Sequence, residues 1–240
     1  MERLDDLLNN NLKIIQSKDI FAFSMDAVLL AHFATIPKKG KIIDLCTGTG
    51  VIPLLMSTKT KTEIYGVEIQ EKLVDMANRS VQINHLEGQI RIHHGDLKEA
   101  PRYFGKETFD LVTVNPPYMP ISGQDHNINE HYAIARHEIA TNLKTVINTS
   151  AQLLKTGGRL AMVHRPARLG DIITTLREEK LEPKRIRFVH PSLQKEANMV
   201  LVEATKFGGK ELHILPPLIV YAEDGKYEKE IQQIYFGDGK

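Results

Sequence analysis

The stretch Lys41-Ile42-Ile43-Asp44-Leu45-Cys46-Thr47-Gly48-Thr49-Gly50-Val51 decides how this chain is read. Lys41 to Leu45 is a short, mostly aliphatic run, as expected of a strand buried on both faces; a glycine-containing turn separates it from an apolar helix starting at about Val51. The alternation then repeats. Glu63 to Glu68 reads as a second strand, and Ile90 to His94 as a third. Between them, Gln70 to about Asn84 spaces Leu73, Met76, Ala77 and Val81 three to four apart, an amphipathic helix with Glu71 and Asp75 toward its N-terminal end. Phe109 to Val114 is a fourth strand, stopped at Asn115-Pro116-Pro117, because proline donates nothing to a ladder and keeps its predecessor out of the helical region. Glu138 to Leu154 is expected to be a long helix closed by Lys155-Thr156-Gly157-Gly158, ahead of a strand from Arg159 to His164. Such units require right-handed crossovers and a mostly parallel sheet with helices on both faces: a doubly wound α/β core.

The flanks read differently. Residues 1–40 are expected to be an N-terminal extension packed on the core, with a strand-like Leu12-Lys13-Ile14-Ile15 and a helix from Met25 to about Ala34 that Ser24 caps. The core is expected to run over 41–204. In 205–240, Leu212-His213-Ile214 and Leu218-Ile219-Val220-Tyr221 around Pro216-Pro217 suggest a terminal hairpin. Composition closes off other classes. At 240 residues, 42% hydrophobic and 25% charged, the chain can bury a core, so disorder is excluded as its main state. Apolar runs such as Ala27 to Ala31 are far short of the roughly 20 residues a bilayer crossing needs, and the acidic start lacks the basic-then-apolar pattern of a secretory leader; a cytoplasmic, non-membrane protein is expected. The single Cys46 allows neither an internal disulfide nor a thiolate metal cage. A net charge of +1 argues against a general polyanion coat, although Arg165 to Lys195 holds eight Lys/Arg against four Asp/Glu.

In an open parallel sheet the exit loop of the first strand contacts the ligand. Gly48 and Gly50 let backbone approach closely there, though Gly-x-Gly alone also makes an ordinary tight turn. A dinucleotide loop would carry a third small residue where this chain has Pro53, and Asp44 would repel a pyrophosphate. The same carboxylate suits a cation such as S-adenosylmethionine, with its ammonium and sulfonium. Glu68, ending the second strand, can accept two ribose hydroxyls, and Asp96, after Gly95, can reach an adenine amino group.

In that order, Asp44-Leu45-Cys46-Thr47-Gly48-Thr49-Gly50, Val67-Glu68, Gly95-Asp96 and Asn115-Pro116-Pro117-Tyr118 resemble class I S-adenosylmethionine-dependent methyltransferases. The resemblance spans about 41–204 and implies a Rossmann-like, seven-stranded sheet in which one strand, Met199 to Ala204, is antiparallel. It implies S-adenosylmethionine as cofactor, held by Asp44, Cys46, Thr47, Gly48, Gly50, Glu68, Asp96 and Asn115. Asp19 to Leu30, Arg136-His137-Glu138 and Leu215 to Tyr221 extend the likeness to bacterial tRNA adenine-N6 methyltransferases acting beside the anticodon of a valine tRNA.

The Asn-Pro-Pro-Tyr tetrapeptide resembles the acceptor motif of enzymes that methylate planar amino groups. An exocyclic amine gives its lone pair to the ring, so it reacts only when two acceptors hold its N–H groups in a pyramidal geometry. The Asn115 carboxamide oxygen and the Pro116 carbonyl can be those acceptors, Pro117 stiffens the backbone, and Tyr118 can stack on the target face. These four residues are the catalytic candidates. Arg136, His137, Lys184 and Arg185 are candidates for contact with the tRNA anticodon loop, Arg165, Arg168 and Arg187 being further cations able to meet phosphate; a charged outer helix face explains such residues equally well. Gly123 to His137 reads as a loop over the acceptor. His126, His131 and His137 do not have metal-pair spacing, and no metal is expected. Cys46 reads as a packing residue of the loop rather than a nucleophile. A monomer or weak dimer is expected. Glutamine methylation of a protein is the rival activity, and a non-catalytic RNA-binding module the rival class.

Overall fold

The four strands read before the proline motif come together side by side because each exits toward the same end of one sheet. The computed structural model describes residues 2–8, 12–17, 24–116 and 143–237. An N-terminal pair, β1 (Glu2–Leu7) and β2 (Leu12–Ser17), precedes α1 (Met25–Phe33). Then follow β3 (Lys41–Leu45), α2 (Val51–Ser57), β4 (Glu63–Glu68), α3 (Glu71–Ile83), β5 (Ile90–His94), the short α4 (Ala100–Phe104) and β6 (Phe109–Val114). Beyond 142 come α5 (Leu143–Leu153), β7 (Leu154–His164), α6 (Leu169–Glu178), β8 (Leu181–His190) and β9 (Met199–Lys206). The core order is β8-β9-β7-β6-β3-β4-β5, parallel throughout except for β9, which runs antiparallel to β7 and β8. The seven core strands and the antiparallel Met199 to Ala204 are as expected, and two short additional strands on the edge of β8 bring the described sheet to nine. The chain adds strands on one side of β3 and then turns to the other, so the crevice of a doubly wound sheet opens between the carboxyl ends of β3 and β6.

Both faces are covered. Ile42, Leu111, Ala161, Val163 and Leu201 pack beneath α1 and α2, whereas Ile43, Val112, Leu160 and Met162 pack against Val146 and Ile147 of α5 and Ile172 and Leu176 of α6. Each of these side chains except Ala161 contributes roughly 1.5–3 kcal/mol by leaving water. α1 is apolar on almost every side, with six of its hydrophobic residues buried, since it is enclosed rather than laid on a surface. The β1–β2 pair is clipped to α3 by side chains: Asn84 accepts from the Lys13 amide at 2.8 Å and donates to its carbonyl at 2.7 Å, and Ser80 Oγ accepts from the Ile15 amide at 2.9 Å.

Three local expectations are corrected. Ser24 stands at the N-cap of α1 but makes no side-chain bond to a helix amide; its hydroxyl donates to Asp26 Oδ1. Lys155 to Gly158 does not close the helix, because β7 already pairs at Leu154 with Phe109 and the glycines fall in a bulge before Arg159 meets Leu111. The C-terminal hairpin is absent as such: β10 (His213–Ile214) and β11 (Leu218–Ile219) each pair with β8, in parallel, and not with one another. Pro216-Pro217 between them cannot form a ladder turn, and a last helix, α7 (Lys229–Phe236), follows. Arg187 holds this segment, donating from Nε to the Pro216 carbonyl at 2.9 Å and from both Nη atoms to Glu230.

Arg185, expected on an RNA-binding face, is committed to the fold. Its guanidinium lies over the Phe33 ring, donates to Thr35 Oγ1 at 2.8 Å and pairs at 3.3 Å with Glu203, which is 2% exposed and also accepts the Thr35 amide and hydroxyl. Arg185→Ala leaves that carboxylate short of its counter-charge, and the expected loss in urea unfolding is about 2 kcal/mol; an unchanged midpoint would show that the Thr35 bonds suffice.

Candidate cofactor and acceptor site

The turn after β3 takes its shape from three left-handed residues in alternation, Cys46 (φ 58°), Gly48 (φ 56°) and Gly50 (φ 84°). Glycine meets this demand at two of them; Cys46 meets it under strain. Gly50 begins α2, and the Gly50 amide donates to the Thr47 carbonyl at 3.0 Å. The turn is held against β4 from two directions. The Thr47 amide donates to the Val67 carbonyl at 3.0 Å, and the Gly48 amide donates to Glu68 Oε2 at 2.9 Å. Glu68 Oε1 accepts the Gln70 amide at 3.0 Å. Burial pushes the Glu68 carboxyl above its ordinary range, against the pull of the Gln70, Gly48 and Ile69 amides. Each carboxylate oxygen keeps a lone pair, so holding the turn and accepting a ribose hydroxyl are compatible.

Sequence reasoning did not single out Gly66. It pairs with Asp44, and a Cβ there would lie 2.8 Å from Ile92 Cδ1 and 2.9 Å from Thr47 Cγ2. Its missing side chain is what lets Thr47 fold back over β4. The only hint available earlier was a glycine inside an apolar strand.

Asp44 was expected to face the pocket. It is instead completely buried beneath the turn, 0% exposed, with Oδ1 accepting the Thr113 hydroxyl at 2.6 Å. Asp44 Oδ2 and Thr47 Oγ1 are buried with no well-formed hydrogen bond to described protein atoms. Desolvation raises the Asp44 carboxyl to about 7; the Thr113 hydroxyl and, more loosely, the Thr47 hydroxyl oppose this, and the Glu68 charge adds to it. Its influence on a ligand in the crevice therefore passes through the turn, as charge rather than contact. Burial also pushes the Cys46 thiol well up, with Glu68, Asp44 and Asp96 adding to the effect, as a packing residue would show and an attacking thiolate would not.

Asp96 follows β5 and caps a single 3-10 turn, its Oδ1 accepting the Lys98 amide at 2.9 Å. Asn115 and Pro116 leave β6 directly beside the turn, since Val114 pairs with Leu45. Thus Thr47, Gly48, Gly50, Glu68, Asp96, Asn115 and Pro116 gather at the carboxyl ends of adjacent strands. Lys184 and Arg185 do not: they lie in the middle of β8, and the Lys184 ammonium donates to the Gly209 carbonyl. Pro117, Tyr118, Arg136 and His137 lie outside the described residues, as do the Gly123 to His137 loop and the start of the Glu138 helix. His164, ending β7 on the strand next to β6, is held to about 4 by burial and by the Arg168 and Arg165 charges, and its Nδ1 accepts the Arg165 amide. A hollow of about 380 Å³ lined by Glu107, Gln152, Lys180 and Phe207 sits at the opposite, amino end of the sheet and takes no part in this site. Among the described residues no group of three or more His, Cys, Asp or Glu is arranged to hold a metal, and no helix is long and apolar enough to cross a membrane.

Residues 12–172 match the family model described as "Methyltransferase small domain". A tRNA1(Val) (adenine(37)-N6)-methyltransferase of a Flavobacteriaceae bacterium is 29% identical over 62% of this chain and 61% of its own length, so the match spans less than two thirds of that relative. Its namesake from Photobacterium profundum is 24% identical over 87% of each chain. Among solved structures, a "predicted O-methyltransferase" from Agrobacterium tumefaciens superposes with a TM-score of 0.69 at 22% identity, covering 88% of this chain and 95% of the other; it shows the fold.

The raised Asp44 carboxyl makes stability depend on pH. The folded chain binds this proton more tightly than the unfolded chain, so the contribution is whole below the unfolded value of about 3.9 and is lost as pH rises through the folded value of about 7. Asp44→Asn cannot ionise. Relative to wild type, its unfolding free energy is expected to improve steadily from about pH 4 to about pH 8, by up to about 4 kcal/mol; a constant difference across urea titrations at those pH values would contradict the assignment.

Proposed function

The chain belongs to the methyltransferase small-domain family, and on that premise we propose that it transfers a methyl group from S-adenosylmethionine to the exocyclic N6 of an unpaired adenine in tRNA, next to the anticodon of a valine tRNA. One observation carries the reading: Asn115-Pro116 leaves β6 beside the glycine turn of β3, so that an acceptor clamp and a cofactor turn share one crevice. The names of the relatives favour adenine over glutamine as the acceptor.

The residues present fit the cofactor. Two carboxylates, Asp44 and Glu68, bring negative charge beneath and beside the turn, Asp44 Oδ2 and Thr47 Oγ1 have no well-formed hydrogen bond to described protein atoms, and Glu68 and Asp96 each retain acceptor capacity. Glu68 would take the ribose hydroxyls, Asp96 the adenine amino group, and the turn residues Cys46, Thr47, Gly48 and Gly50 would present backbone to the rest. When bound, S-adenosylmethionine supplies an electrophilic methyl carbon on sulfur. The Asn115 carboxamide oxygen and the Pro116 carbonyl accept the two N–H groups of the target amine and bend it out of conjugation, and Pro117 holds that carbonyl in place. Tyr118 offers a face on which an unpaired base stacks, which an anticodon loop supplies without opening a duplex. Arg136 and His137 are left as contacts to the RNA, with Lys184 set aside because its ammonium donates to the Gly209 carbonyl away from the crevice and Arg185 because of its structural bonds. After transfer the methylated nitrogen carries the positive charge that the sulfonium has lost, its N–H is strongly acidic and the proton leaves to water, so Asn115 suffices where a base would otherwise stand. On this reading the protein would meet its tRNA substrate in the cytoplasm.

Asn115→Ala is expected to lower methyl transfer by at least about a thousandfold while cofactor affinity, by calorimetry, stays within about threefold. The assay is tritiated methyl transfer into total tRNA and into a release-factor fragment, followed by nucleoside analysis. N6-methyladenosine in tRNA is the expected product; label in the protein fragment alone would overturn the acceptor assignment.

A further inference from the structure

The proposed reaction leaves the Thr113 hydroxyl without a task, yet its placement is specific. Thr113 lies on β6 two residues before Asn115, pairs in register with Asp44 on β3, and donates to Asp44 Oδ1 at 2.6 Å with both residues 0% exposed. Its neighbours along the strand are Leu111, Val112 and Val114, so a valine would fill the same space and add apolar burial. Such a buried, partly satisfied polar pair costs stability that a purely structural strand position would avoid. We propose that Thr113 is a positioning residue for cofactor binding: by donating to Asp44 it fixes a negative charge beneath the Thr47-Gly48 turn and ties the strand that carries Asn115 to the loop that receives the cofactor. This inference rests on the S-adenosylmethionine reading of the turn.

The electrostatics give the link a direction. A hydroxyl donated to a carboxylate favours its charged form, and here it works against the desolvation that carries Asp44 toward neutrality. Among the described residues the other groups acting on Asp44 are the Glu68 carboxylate from β4 and the Thr47 hydroxyl from the turn, and its charge is felt in turn by the Cys46 thiol. The cofactor carries a sulfonium charge that the product, S-adenosylhomocysteine, has lost. A buried anion therefore holds the substrate form more tightly than the product form, and the preference follows the ionisation that Thr113 supports.

Calorimetric binding of S-adenosylmethionine and S-adenosylhomocysteine to the wild type, Thr113→Val and Thr113→Ser, from about pH 6 to about pH 8, tests this. In the wild type the preference for S-adenosylmethionine is expected to grow with pH. Thr113→Val should weaken S-adenosylmethionine about tenfold near pH 7, weaken S-adenosylhomocysteine less, and move the growth in preference about one pH unit upward; Thr113→Ser should restore all three. Wild-type behaviour of the valine variant, equal weakening of both ligands at every pH, or a serine variant as weak as valine would overturn the proposal. If Thr113→Val does not fold, the wild-type profile still decides, since a preference that is flat across this range would overturn it too. No acceptor enters the measurement, so failure to methylate tRNA leaves the result standing, whereas a wild type that binds neither ligand would refute the cofactor reading itself.

Discussion

The contact on which the site depends is the Glu68 carboxylate accepting an amide from each side, Gly48 from the turn after β3 and Gln70 from the start of α3. It converts two chain reversals into one rigid edge of the crevice. The same side chain lies within electrostatic reach of Asp44, so two buried acids repel each other beneath a loop that contains no cation of its own. A cationic ligand relieves that repulsion, which means that the conformation competent to bind is also the one that binding stabilises. The strain at Cys46 and the Asp44 and Thr47 oxygens that lack a well-formed bond among the described residues belong to the same account, since departures from optimal packing collect where a protein must meet a ligand.

The architecture was legible wherever a pattern had a single physical meaning. β3 and β6, buried on both faces, betray themselves as aliphatic runs, Asn115-Pro116-Pro117 can only end one, and β4 and the edge strand β5 follow from the alternation with helices, so all four were readable to within a residue. Turn chemistry was less so. Lys155 to Gly158 carries every mark of a helix terminus, but the β6 ladder captures Leu154 first and turns the glycines into a bulge, a tertiary override of a local signal. Leu212 to Tyr221 has the outline of a hairpin, yet an existing edge on β8 offers both segments a better partner than they offer each other. β1 escaped notice because its acidic sequence, Glu2-Arg3-Leu4-Asp5-Asp6, lacks strand periodicity, and the strand is exposed everywhere but at Asp5 and Leu7.

At the site, residue types were easier to read than residue positions. An acid before a glycine turn announces electrostatics, but only the register of β3 with β4 and β6 shows that Asp44 lies under the turn and not in the pocket. Thr113 was within reach: two residues before Asn115 on a strand of period two, it had to share that residue's face. Arg185 could not have been placed, because its partners Phe33, Thr35 and Glu203 come from distant parts of the chain and only the folded sheet assembles them.

The short strands β10 and β11 bear on a property apart from chemistry. β8 would otherwise end the sheet with a row of unpaired amides and carbonyls, the surface on which proteins stack into fibrils. Two-residue segments, interrupted by Pro216-Pro217 and fastened through Arg187 to Pro216 and Glu230, occupy that row without offering a continuous new one outside it. The segment beyond β9 thus leaves the outer rim of the sheet without a continuous row of free backbone groups on which a further strand could be templated.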